Sequence, residues 1–150
     1  MKMIKNGDRQ TESYNEVEIF LNELKVALDN KCYISVIEQK TSEISRAIEQ
    51  TNTATIAVLF PDEEPHKALR RELKKLRVKH YMYSMIDDFY LLGNKLKVFG
   101  MSYSGNDVYI KLKLEIETDK SYENAIVLVL SFHYSTRQFG SGEFPYEVKK

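Results

Sequence analysis

Apolar residues recur at intervals of three and four in NEVEIFLNELKVALDN, so that Val17, Phe20, Leu21, Leu24, Ala27 and Leu28 fall on one helical face. The spacing predicts an amphipathic helix behind a polar, frayed stretch at 1–13. CYISVI is short and β-prone and reads as a strand. KTSEISRAIEQTN sets Ile44, Ala47 and Ile48 on one side with Thr41 or Ser42 as a cap, which predicts a second helix. TATIAVLF has no decisive period and is read as a strand. PDEEP breaks the pattern, with Asp62 as the expected cap of a helix that starts near Pro65. In HKALRRELKKLRV that helix turns Leu69, Leu73 and Leu76 inward.

The second half changes period. KHYMYSMIDDFYLLGN is aromatic-rich and irregular, KLKVFGMSY reads as a strand, and SGND as a tight hairpin turn. Beyond it Val108, Ile110, Leu112, Leu114 and Ile116 alternate with Tyr109, Lys111, Lys113, Glu115 and Glu117, which predicts one face on the core and one in water. TDKSYEN is a loop, and NAIVLVLSFHY is apolar on both faces, as a central strand is. Pro145 discourages another central strand in the tail. Helices lead and an antiparallel sheet follows, so the expected class is α+β, as a single domain over 1–150.

Charge refines this picture. The net charge is zero, but residues 1–65 sum to −5, 66–113 to +7 and 114–150 to −2. The basic block centres on the helix bearing Arg70, Arg71, Lys74 and Lys75, which is either a solvated face or a track for a polyanion. One cysteine, Cys32, excludes an internal disulfide and reads as a small buried hydrophobe. MKMIKNGDRQ lacks the apolar stretch of a signal peptide, and AIVLVL is far shorter than the roughly 18 residues of a membrane span. A cytoplasmic protein is the expectation.

Several chemistries lack their residue sets: there is no Gly-rich phosphate loop, no cysteine pair and no histidine spacing suited to zinc. No cofactor is expected. Asp87 and Asp88 could take Mg²⁺ or form a solvated turn. Tyr109 and Lys111 share a strand face, His133 ends the neighbouring strand, and Lys95 and Lys97 alternate on the strand before. Such residues suit metal-independent RNA cleavage, in which a base takes the 2′-OH proton, an acid protonates the 5′ oxygen, and cations hold the phosphorane charge. The alternative is a solvated strand whose tyrosines and lysines do nothing special.

LRVKHYMYSM at 76–85, DD at 87–88, VYIKL at 108–112, IVLVLSFHYS at 126–135 and FPY at 144–146 together resemble the MqsR family of type II toxins, which have a RelE-like fold. The resemblance covers roughly 70–146. It implies a ribosome-independent endonuclease acting on mRNA and held inactive by a helix-turn-helix antitoxin. By the same resemblance Tyr109 matches the active-site tyrosine, Lys111 its accompanying lysine and His133 the basic residue after Ser-Phe. Tyr83 stands where a lysine is expected, and Leu96 near the place of a glutamine, so Lys95 or Lys97 and His80 are candidates for the missing cation and proton donor. Arg70, Arg71, Lys74, Lys75, Tyr83 and Lys113 are the expected RNA contacts, and a homodimer is compatible with this reading. Its rival is a non-enzymatic RNA- or protein-binding module on the same scaffold.

Overall fold

Ser13 lies in extended backbone, where its hydroxyl accepts from Glu16 N–H at 3.1 Å and the Glu16 carboxylate accepts from Ser13 N–H at 2.9 Å. This reciprocal cap satisfies two donors that a helix start leaves over and opens α1 (Tyr14–Asp29). All six residues of the predicted stripe are buried. The structure, a computed structural model, describes residues 9–30, 32–37, 51–86, 95–116 and 125–147. The helix expected within 40–52 and the loop expected at 118–124 lie largely or wholly outside them, as do Asp87 and Asp88.

The described elements are β1 (Arg9–Gln10), α1, β2 (Tyr33–Val36), α2 (Asn52–Leu59), α3 (Pro65–Leu73), β3 (Tyr81–Ile86), β4 (Lys95–Tyr103), β5 (Asn106–Glu115) and β6 (Ile126–Tyr134). They build a six-stranded sheet in the order β1-β3-β4-β5-β6-β2. Every pair is antiparallel except β2 with β6, which is parallel. The α+β class therefore holds, and the sheet, expected to be antiparallel, has one parallel pair. Ser104 (φ 53°) and Gly105 (φ 85°) make the two-residue turn between β4 and β5, both in the left-handed region that such hairpins need.

Four local expectations are corrected. Arg9 and Gln10, placed in a frayed stretch, pair with Met85 and Ser84 of β3. YMYSMI is a strand inside the sheet rather than an irregular segment. α3 is capped by Glu64, which accepts from Lys67 N–H at 3.0 Å, and not by Asp62. TATIAVLF lies mostly in helix α2. The reason is the edge of β6: β2 ends at Val36, and beyond it the backbone of β6 needs other partners. Asn52 supplies them, its Nδ2 donating to Leu130 O at 3.1 Å and its Oδ1 accepting from Phe132 N–H at 2.9 Å. Thr55 Oγ1 accepts from Tyr134 N–H at 3.2 Å. A helix start can present two such side chains three residues apart to one edge, and the cost of leaving those groups unmet selects it.

The three helices contribute to one core with one sheet face, where Leu24, Leu28, Ile56, Leu69 and Leu73 meet Phe99, Ile110, Leu112, Val127 and Phe132. The other face is not the water-facing surface that the alternation suggested. Lys113 is 1% and His133 6% exposed, and a second cluster of Met82, Tyr83 and Val98 is covered by Phe139 and Phe144. These two phenylalanines belong to the segment after β6, which crosses this face over Gly100. A Cβ on Gly100 would lie 2.7 Å from the Phe139 ring and 3.0 Å from Phe144, so only glycine admits the crossing as it stands.

Candidate active site

Strand register decides which candidates meet. Gly100, Tyr109 and His133 are successive partners across β4, β5 and β6, and Tyr83, Val98, Lys111 and Ser131 form the next row from β3 to β6. Both rows lie on the face away from the helices. The Tyr109 and His133 rings stack with centroids 5.8 Å apart, Lys111 Nζ is 5.9 Å from the Tyr109 centroid, and the Tyr83 and Tyr109 hydroxyls are hydrogen-bonded to each other. The sequence-predicted trio of Tyr109, Lys111 and His133 is thus brought together, with Tyr83 beside it.

His133 Nδ1 is 3.1 Å from the carbonyl of Tyr134. A carbonyl only accepts, so this contact favours the tautomer with the proton on Nδ1. Burial pushes the Tyr83 hydroxyl above its ordinary pKa, offset by Arg9. The Arg9 guanidinium lies over the Tyr83 ring at 4.1 Å. Lys113 follows Lys111 on the same face, and its Nζ is buried without a hydrogen-bond partner, as is Glu115 Oε2. An ammonium held so is unusual, because desolvating a charge is costly unless something compensates it.

The remaining candidates are elsewhere. Lys97 pairs with Leu112 and faces the helices, where its Nζ is 3.1 Å from Glu12 Oε2 and 5.0 Å from the Phe20 centroid. Glu12 also accepts from the Ser84 hydroxyl, and Ser84 is 2.8 Å from the Tyr81 hydroxyl, so Lys97 closes a buried structural network. Lys95 is two residues earlier on β4 and shares that side, so neither lysine joins the Tyr109 row. His80 belongs to a 3-10 turn at Val78–His80, where its Nδ1 accepts from Arg77 N–H at 2.9 Å. Burial, with Lys79 and Arg77 adding to it, lowers its pKa to about 4, so it carries no proton to donate as an imidazolium at neutral pH.

The expected RNA-gripping helix is engaged within the protein. Arg70 donates to Leu28 O and Cys32 O, both at 2.7 Å, and so caps the end of α1. Arg71 pairs with Glu63 and Glu72, Lys75 with Glu72 at 3.0 Å, and Lys74 with Asp29 at 2.6 Å. α3 also packs on the helix side, opposite Tyr109. Cys32 is buried, and burial raises its thiol pKa, in keeping with a packing role.

Sequence reasoning missed Arg9, Phe139, Phe144 and the bidentate pair of Arg137 with Glu143 at 2.7 and 2.8 Å, which pulls the Glu143 carboxyl down to about 2. The signal was present in the tail, where Phe139, Phe144 and Tyr146 within eight residues are too apolar for a solvated loop. Tyr146 donates to Glu12 O at 2.7 Å and stacks on Tyr81 at 6.2 Å. Among the described residues no group of three or more His, Cys, Asp or Glu could hold a metal ion, and no helix is long and apolar enough to cross a membrane. Comparison with known protein families, curated proteins and solved structures gives no match.

Proposed function

We propose that this chain is an endoribonuclease that cleaves mRNA without a metal ion, working in the cytoplasm as the toxin of a type II toxin-antitoxin pair with a RelE-like architecture. The observation that carries the reading is the stacked Tyr109–His133 pair with Lys111 on the same face. His133 Nε2 takes the 2′-OH proton, the 2′ oxygen attacks phosphorus, and the Tyr109 hydroxyl protonates the departing 5′ oxygen. Lys111 and Arg9 offset the added charge of the phosphorane. The toxin role rests on the family resemblance of 70–146 and adds a helix-turn-helix antitoxin as partner.

The test is digestion of a defined RNA by purified chain with and without EDTA, beside His133→Ala and Tyr109→Phe. Loss of a general acid or base costs typically 10² to 10⁴ in rate, so each variant is expected to lose about that much. Undiminished cleavage by both variants would place the site elsewhere, and loss on chelation would replace the metal-free mechanism. One observation favours the rival binding module: His133 is only 6% exposed, and the Tyr109 ring is flanked by Phe139 at 6.4 Å. Saturable RNA binding with no product under any condition would select that reading.

A further inference from the structure

Beside the Tyr109 row lies a pocket of about 550 Å³ floored by Gly100 and walled by Phe139, Phe144, His80, Lys79, Asp107 and Glu147. Its size falls within the range of small-molecule sites. The Phe139 ring is shared between the pocket and Tyr109: it lines the pocket, and its centroid is 6.4 Å from that of Tyr109. Asp107 fixes this wall by accepting from Phe139 N–H at 2.8 Å, and Phe144 meets Phe139 edge to face at 5.8 Å. We propose that this pocket is a nucleobase subsite, in which the base next to the scissile phosphate inserts against the Phe144 and Phe139 rings while its phosphate stays with Lys111.

The proposal rests on the RNA-cleaving reading and deepens it. Charge separates the two regions. The pocket sets one ammonium, Lys79, against two carboxylates, Asp107 and Glu147, and its histidine is neutral at physiological pH. An anionic phosphate gains nothing there. A neutral heterocycle gains stacking on the rings, an acceptor for its amino or imino groups and a donor for its carbonyl. On the Tyr109 side of Phe139 a cation is at hand instead, Lys111 Nζ lying 5.9 Å from the Tyr109 ring centroid. One nucleotide laid across Phe139 matches both environments.

The experiment follows backbone amide shifts of the full chain while titrating each of the four nucleoside 5′-monophosphates, with ribose 5-phosphate as the base-free control. The expected result is saturable movement of the Gly100, Ser102 and Phe139 amides with at least one nucleotide and not with ribose 5-phosphate. Phe144→Leu keeps an apolar group on Gly100 but removes the π face, and should weaken that nucleotide roughly 10-fold. Equal shifts from ribose 5-phosphate, no saturable shifts, or unchanged affinity in Phe144→Leu would each overturn the subsite. Nucleotide binding here by a chain that never cleaves RNA would retain the pocket and reject the nuclease. Cleavage whose KM is untouched by Phe144→Leu would do the opposite.

Discussion

Lys97 and Lys111 are the same residue type on adjacent strands, and register alone sends them to opposite faces. Their substitutions should therefore separate. Under the nuclease proposal, Lys111→Met is expected to abolish most RNA cleavage. Lys97→Met leaves Glu12 buried without its ammonium, a loss of about 3 kcal/mol, and should shift the urea midpoint clearly. The reverse pattern would mean that the catalytic cation belongs to the helix side. His80 carries a second expectation. Its pKa falls from the ordinary 6.5 to about 4 on folding, so between those values the unfolded chain binds a proton that the native chain does not. Stability should fall as pH drops from 6.5 towards 4, and His80→Gln should make that loss shallower in denaturation curves taken across the window. Residue roles of this kind were only half legible in the sequence. Alternation in VYIKLK put Tyr109 and Lys111 on one face correctly, but nothing in KLKVFG says which side of the sheet Lys95 and Lys97 share with the neighbouring strand.

At the scale of elements, strong periodicity was enough and weak periodicity was not. α1, β4, β5 and β6 were readable because each carries a long amphipathic or apolar run. α2 was not, because it is chosen by the unpaired edge of β6 rather than by its own pattern. This argues that Asn52 is the residue on which α2 depends. Asn52→Leu removes the partners of Leu130 O and Phe132 N–H and of Ile37 O, which Asn52 Nδ2 reaches at 2.8 Å. Each buried unsatisfied group costs roughly 1 to 3 kcal/mol, so a loss of about 3 kcal/mol is expected, together with faster amide exchange at Phe132 and Tyr134. A variant as stable as wild type would show that α2 is held by Ile56 packing alone. β3 was missed for a related reason: a bulge between Tyr81 and Tyr83 breaks its alternation, so Tyr81 and Ser84 face the helices while Tyr83 faces Tyr109.

For the whole molecule, the described part of the basic block of 66–113 folds onto both sides of the sheet, and this changes how strongly salt should act on the RNA binding proposed above. On the helix side Arg70, Arg71, Lys74 and Lys75 are matched by Glu63, Glu72, Asp29 and backbone carbonyls, and Lys97 by Glu12. On the other side Arg9 lies over the Tyr83 ring and Lys111 beside the Tyr109 ring, while Lys113 is buried. For single strands log Kobs falls with log salt at about 0.7 per phosphate neutralised, so two contacts give a slope of about −1.4. Were Arg70, Arg71, Lys74 and Lys75 also on the RNA, the slope would be about −4. Titration of a 2′-O-methyl RNA, which cannot be cleaved through its 2′ oxygen, between 50 and 200 mM salt measures the difference directly. The shallow slope is expected, and Lys74→Gln with Lys75→Gln should leave it unchanged, whereas Lys111→Met should flatten it by about 0.7. A steep slope sensitive to the α3 changes would mean that RNA wraps both faces, and a single cleft centred on Tyr109 and His133 would then be too small a description of how the chain holds its substrate.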